Sequence, residues 1–163
     1  MKKVHIPIEI HEIEDLSILP AEEQQLIELS KAMTHQAYAP YSGFFVGAAA
    51  LLENGEIVKG SNQENAAYPS GLCAERVAVF SASALYPGVT IKAIAVSARS
   101  SHQLLDHPVS PCGACRQVLL EYEVNQKEPM KVFLSGQTGN VYQVAKVQDL
   151  LPLSFTASEL GKL

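Results

Sequence analysis

The chain contains no apolar stretch near the roughly 18 residues needed to cross a bilayer, and its amino terminus has no signal-peptide core. A cytoplasmic location is expected. It has no run of Lys or Arg either: 12 basic residues face 17 acidic ones, giving a formal charge of −5 and a pI near 5.5. Nucleic-acid binders carry a basic stripe that draws in phosphates, so neither DNA nor RNA is an expected partner. Cysteine is scarce. Three thiols and no secretory signal exclude a fully paired disulfide framework and fit a reducing compartment. The five histidines, His5, His11, His35, His102 and His107, show no ligand spacing and read as structural or exposed. No internal repeat, low-complexity segment or linker interrupts the chain.

With 163 residues the simplest organisation is one domain over 1–163, large enough to bury roughly 70% of its extended-chain surface without staples. Residues 3–13 alternate, with Val4, Ile6, Ile8 and Ile10 on one side, which predicts a strand. Pro7 confines it to a sheet edge or a bulge, so residues 1–19 read as an accessory extension. Pro20 opens a helix to about Tyr38, with Leu26, Ile27, Leu29, Ala32 and Met33 as its apolar stripe. Strands over 44–52 and 56–60 join at Asn54-Gly55, a strong hairpin-turn signal. A helix from near Cys73 to Tyr86 stops at Pro87-Gly88, and its stretch Val77-Ala78-Val79-Phe80 predicts a buried helix covering a sheet. A buried strand over 91–98, a helix over 112–123, strands over 131–134 and 141–144, and short helical pieces over 147–151 and 157–160 complete the chain. Together they predict a three-layer α/β/α fold with a mixed sheet.

The chemistry concentrates in two short motifs, Cys73-Ala74-Glu75 and Pro111-Cys112-Gly113-Ala114-Cys115. A structural zinc closes its shell with four protein ligands, whereas a catalytic zinc keeps three and leaves the fourth position to water or substrate. Here the cysteines are three. Ser110 as N-cap and Pro111 as first helical residue predict a helix that starts at the motif and puts Cys112 and Cys115 on one face. Glu75 follows the first cysteine closely enough to exchange protons near the metal without ligating it. Three thiolates overcompensate a dication, so a counter-charge is needed: Arg76 and the positive ends of the two helices are the candidates. Arg76 is thus an expected hydrogen-bond donor to ligand sulfur. Blander readings exist for each. Buried cysteines are often inert core residues, Cys112 to Cys115 also fits a thioredoxin-like dithiol, and Glu75 alone would be a first-turn carboxylate favoured by the helix dipole.

Several further segments stand in order along residues 20–160: Ala37-Tyr38-Ala39-Pro40-Tyr41-Ser42-Gly43-Phe44, Val46-Gly47-Ala48-Ala49, Asn62-Gln63-Glu64-Asn65-Ala66-Ala67-Tyr68, Cys73-Ala74-Glu75-Arg76, Pro111-Cys112-Gly113-Ala114-Cys115-Arg116-Gln117 and Leu150-Leu151-Pro152. With these the chain resembles the small homotetrameric cytidine deaminases. The first twenty residues and the insertion-like stretch 102–107 depart from that pattern.

The resemblance implies that Cys73, Cys112 and Cys115 hold one zinc ion per subunit and that Glu75 is the proton shuttle for hydrolysis of cytidine or deoxycytidine to the uridine product and ammonia. It implies further that Asn62 and Glu64 grip the ribose hydroxyls, that Phe44 flanks the base and that the backbone N–H of Ala74 meets the base carbonyl. Ala66, Tyr68 and Phe155 are expected to reach a neighbouring subunit's site, which would make the tetramer necessary for activity. A free nucleoside carries no phosphate and suits the acidic surface. Two other readings stay open at this level: a deaminase of a related amino-nucleoside, such as a blasticidin-type antibiotic, and a non-catalytic protein stapled by zinc or working as a dithiol. By default Asn62 and Glu64 are loop residues, and Phe44 and Phe155 core residues.

Overall fold

The computed structural model describes residues 1–161. One six-stranded sheet runs in the order β1-β6-β5-β4-β2-β3, with β1 at Ile10–Ile13, β2 at Phe44–Leu52, β3 at Ile57–Ser61, β4 at Ile91–Ser100, β5 at Lys131–Ser135 and β6 at Val141–Val144. Only β4 and β5 are parallel, as the intervening crossover helix requires, and every other neighbouring pair is antiparallel. The sheet is therefore mixed, as predicted.

Period-two alternation divides the side chains between two cores. Leu26 and Ile27 of α1 (Ala21–Met33) cover one face, formed by Ala49 and Leu51 of β2, Ala93 and Ala95 of β4, and Phe133 of β5. Against the other face, with Ala48, Ala50, Ile94, Val96, Val132 and Leu134, pack α2 (Ala74–Leu85) and α3 (Gly113–Gln126). Helices thus sandwich the sheet. The hairpin β2-β3 places Gly60 directly under α2: a Cβ there would stand 2.5 Å from the Ala74 carbonyl oxygen and 2.6 Å from the Ala78 nitrogen. Lacking one, Gly60 lets the start of α2 lie close against the strand.

Four expectations need correction. The predicted strand over 3–13 shrinks to Ile10–Ile13, because its partner β6 is four residues long and offers no ladder beyond them. Val4, Ile6, Ile8 and Ile10, the supposed inner side, are all exposed, and Ile13 is the residue that reaches the core. Helix α3 begins one residue late. Cys112 is its N-cap and Gly113 its first residue, so Ser110 and Pro111 precede the cap instead of forming it. Finally, α2 is not enclosed all round: Ala78 and Val79 are buried, but Phe80 faces outward and packs against Tyr122 of α3. On α1 the stripe is likewise shifted. Ala32 is exposed, while Ser30, a polar residue, is fully buried.

That buried serine is satisfied by a chain of hydroxyls. Ser30 donates to the Ile27 carbonyl at 2.7 Å, Ser97 of β4 meets Ser30, and Ser135 of β5 meets Ser97. Because Ser30 has spent its hydrogen on Ile27, the others must donate in turn, Ser135 to Ser97 and Ser97 to Ser30. The arrangement stitches α1 to the two parallel strands without leaving a buried hydroxyl unpaired.

Candidate active site

Helices α2 and α3 lie side by side with Cys73 and Cys112 as their N-caps, and Cys115 sits one turn into α3. The three sulfurs fall within 4.8 Å of one another, and all three thiols are free. Among the described residues no other group of His, Cys, Asp or Glu is gathered in this way. The dithiol reading leaves Cys73 outside its pair, yet the fold brings Cys73 into the cluster. Neither capping cysteine uses its sulfur to cap the helix, so both sulfurs stay available while the helix ends supply positive potential.

The electrostatics agree with a metal-binding trio. Cys73 is brought down to about 5, chiefly by the hydrogen bond it receives from Cys115, with the Arg76 N–H and charge adding to this against burial. Cys115 is pushed up, because it gives that hydrogen bond and is buried beside Glu75 and Cys73. Arg76 donates from Nη2 to the Cys73 sulfur at 3.4 Å, the contact expected from sequence, and its own pKa rises further for the same reason. Glu75, in the first turn of α2, is 4% exposed. Burial raises its pKa, the negative Cys73 adds to this, and its Oε2 has no hydrogen-bond partner. A buried carboxylate oxygen without a partner is costly and uncommon, which marks it as a group kept for a ligand. The thiol trio and this orphan oxygen together fit one zinc ion with an open coordination position.

A cavity of about 470 Å³ opens beside the cluster, with Cys73 and Arg76 at one side and Ser42, Asn62, Glu64 and Tyr68 among its other walls. Backbone pairing fixes the wall: Gln63 exchanges hydrogen bonds with Leu72, and Glu64 N–H donates to the Tyr38 carbonyl at 2.9 Å. Just past β3, Asn62 clasps the start of β2, accepting from Val46 N–H at 2.7 Å and donating to the Phe44 carbonyl at 3.0 Å. One amide hydrogen and one lone pair remain free on it. Glu64 accepts from the Tyr41 N–H at 2.9 Å, from the Ser42 N–H and from the Ser42 hydroxyl. The Ser42 hydroxyl is the largest cause of its lowered pKa, opposed by slight burial and helped by the two backbone N–H groups.

The remaining sequence candidates are placed less centrally. Phe44 opens β2 opposite Ser100 and is not among the residues lining the cavity. Ala74 is fully buried as the first residue of α2. Ala66 is exposed in the loop before Tyr68, and Tyr68 lines its own chain's cavity, edge-on to Tyr41 with ring centroids 5.7 Å apart. Phe155 is exposed on the carboxy-terminal segment, where Gln117 of α3 donates to its carbonyl at 2.8 Å. Sequence reasoning overlooked Ser42 and Tyr41 as cavity residues. Their signal was present, since both sit inside the Tyr41-Ser42-Gly43 segment, but nothing local says that they turn toward Glu64.

Thiol trio, orphan carboxylate and adjoining cavity, at the starts of two helices on a mixed sheet, define a zinc-dependent hydrolytic enzyme. The chain belongs to the cytidine and deoxycytidylate deaminase family: the profile of that family's zinc-binding region matches residues 20–127. It is 44% identical over 139 residues to a cytidine deaminase of Sporosarcina psychrophila, covering 85% of this chain and 94% of the relative. A cytidine deaminase of Halalkalibacterium halodurans is 40% identical over 138 residues, with 85% and 97% covered. Among solved structures, a cytidine deaminase from Burkholderia pseudomallei superposes with a TM-score of 0.69 at 43% identity, covering 81% of this chain and 98% of that one. No described helix is long and apolar enough to cross a membrane.

Proposed function

We propose that the protein hydrolyses cytidine and deoxycytidine to uridine and deoxyuridine, releasing ammonia, and that it serves pyrimidine salvage as a cytoplasmic enzyme. The observation that carries the reading is the buried, unpartnered Glu75 carboxylate oxygen set beside three clustered thiols. Cys73, Cys112 and Cys115 would hold the zinc, which when bound supplies a Lewis acid that lowers the pKa of water. Glu75 does the proton work. With its pKa raised by burial it accepts one proton from the attacking water and delivers it to N3 of the pyrimidine, then takes the second from the hydroxyl newly added at C4 and hands it to the departing amine. Atoms balance as nucleoside plus water giving the uracil nucleoside plus ammonia.

Substrate placement falls to the rest of the site. Asn62 offers its free amide hydrogen and lone pair, and Glu64 its one remaining lone pair, to the sugar hydroxyls. The N–H of Ala74, in the first turn of α2 and so without an intrahelical acceptor, would donate to the base carbonyl. Phe44 would flank the base. Arg76 offsets the excess negative charge of the thiolates and keeps Cys73 ionised. Ala66, Tyr68 and Phe155, all exposed on one chain, would complete neighbouring sites in a homotetramer. The antibiotic-nucleoside alternative draws no support from the relatives named above, which are cytidine deaminases.

The test is to incubate the purified protein with cytidine and measure uridine and ammonia, alongside Glu75→Gln. Wild type should form both products. The variant should keep its zinc and lose turnover, and an active Glu75→Gln protein would defeat the role given to Glu75.

A further inference from the structure

The stretch after β4, which departs from the family pattern, does not hang free. Ser101 donates from its backbone N–H to the Gly43 carbonyl at 2.9 Å and from its hydroxyl to the same oxygen at 3.2 Å. His102 Nε2 lies 3.1 Å from the Ser42 carbonyl oxygen, which, having no hydrogen to give, makes Nε2–H the donor. From behind, Gln137 in the β5-β6 turn accepts from the N–H groups of Ser100 and Leu105, and its own N–H donates to the Leu105 carbonyl at 2.8 Å. Leu105 is buried, 2% exposed, which pins the loop to the body of the protein. The loop is therefore anchored on one side and grips the Ser42-Gly43 turn on the other.

That turn is the one that holds Glu64. Ser42 gives Glu64 both its hydroxyl and its N–H, and Tyr41 gives a second N–H. Gly43 takes φ +60°, and a Cβ on it would lie 2.7 Å from His102 Nε2 and overlap the Ser101 hydroxyl. A side chain at 43 would thus have to push the loop away. The contacts form one relay: Gln137 and Leu105 fix the loop, Ser101 and His102 fix the Ser42-Gly43 turn, and the turn fixes the Glu64 carboxylate.

We propose that the loop 101–105 is a brace for the sugar end of the cavity, with His102 as a positioning residue that sets Glu64 through Ser42. The sugar assignment rests on the nucleoside reading above, whereas the relay itself does not. Residues far apart in sequence cooperate here: the grip of His102 on Ser42 spans 60 positions and that of Ser42 on Glu64 spans 22. A loose turn would let the Ser42 hydroxyl rotate to water, leaving Glu64 with a less defined direction for its lone pairs. The brace then contributes to binding of a substrate that has the 2′- and 3′-hydroxyls and contributes nothing to one without them.

The experiment compares wild type with His102→Ala, His102→Gln and Gly43→Ala. With cytidine, His102→Ala should raise KM about five-fold, the size of one weakened hydrogen bond, while kcat stays within about two-fold. The inhibition constant of 2′,3′-dideoxycytidine should not move. His102→Gln, which keeps an N–H donor, should recover most of the KM, and Gly43→Ala should copy the His102→Ala pattern. Equal weakening of cytidine and dideoxycytidine, or no change with either, overturns the proposal. Independently of turnover, NMR of the Glu64 carboxyl carbon should show its pKa moving up toward the ordinary value in His102→Ala, since the Ser42 hydroxyl is what lowers it most. An unmoved Glu64 titration also overturns the brace, and a wild type that makes no uridine defeats the deaminase reading while this titration still decides the relay.

Discussion

Arg76 Nη2 donates to Cys73 Sγ at 3.4 Å, one turn along the same helix. The contact joins a positive charge to a sulfur already brought down to about 5, chiefly by Cys115. It does for the ligand what a cation does for any anion in a half-buried place, favouring the ionised form. Arg76→Ala should weaken zinc retention about ten-fold, as loss of a group that orients a ligand does. Competition against a chelating dye reads this directly, and unchanged retention together with an unchanged pH profile of activity would contradict the assignment.

Metal uptake should release protons. Cys115 is pushed up by the hydrogen bond it gives to Cys73 and by burial, so without metal it keeps its hydrogen at neutral pH, whereas Cys73 does not. Thiolates bind zinc and thiols do not, so the Cys115 proton must leave as the ion enters. Apparent zinc affinity should therefore rise with pH, about ten-fold per unit for each proton released. Calorimetry in buffers of different ionisation enthalpy counts those protons, and a count of zero would contradict this charge assignment.

Acid should act on the substrate end through Glu64. Its pKa is lowered, mainly by the Ser42 hydroxyl, so the carboxylate survives below the ordinary carboxylate range. KM for cytidine should stay flat as pH falls and rise only once Glu64 takes up a proton. In Ser42→Ala the rise should begin at higher pH, because the group that favours the ionised form is gone. The linked contribution to folding has the same sign, present above the unfolded pKa and lost as pH falls through the folded one. Profiles of KM against pH for the two proteins check it.

Glu123 governs stability away from the site. Buried in the last turn of α3, its carboxylate accepts the N–H groups of Met130 at 2.9 Å, Val147 at 2.6 Å and Gln148 at 2.9 Å. Glu123→Ala strands these donors, and should cost about 3 kcal/mol, within the range for buried hydrogen-bonding groups left unmade. Urea unfolding monitored by circular dichroism measures the loss. The same segment is also held by Arg116, which donates to the carbonyls of Pro111 at 2.8 Å and Leu150 at 3.0 Å.

Much of this was legible in the sequence where the signal is local. Helix α2 and strand β4 show their apolar pattern directly, and the turn at Asn54-Gly55 fixes the β2-β3 hairpin. The metal trio was legible through spacing plus resemblance, although Ser110 and Pro111 precede the cap of α3 instead of forming it. What escaped depends on partners far along the chain. The alternation at Val4, Ile6 and Ile8 predicted burial, but alternation cannot tell how long the neighbouring strand is, and β6 is short. The apolar stripe of α1 could not reveal that Ser30 would be buried, since its partner hydroxyl lies 67 residues away on Ser97. His102 read as structural or exposed for the same reason, its partner Ser42 lying 60 residues away.

The outermost place of β1 has a further consequence. Its four residues dress the flank of β6, which without them would show a raw row of peptide groups beside the buried Val141 and Val144. Bare flanks of this kind invite any passing extended chain to zip on, as in aggregation and fibre growth. With Ile10–Ile13 in place the sheet's border passes to a strand that carries His11 and Glu12 where β6 carries Tyr142 and Gln143, and a charged side chain on a border strand disfavours such zipping.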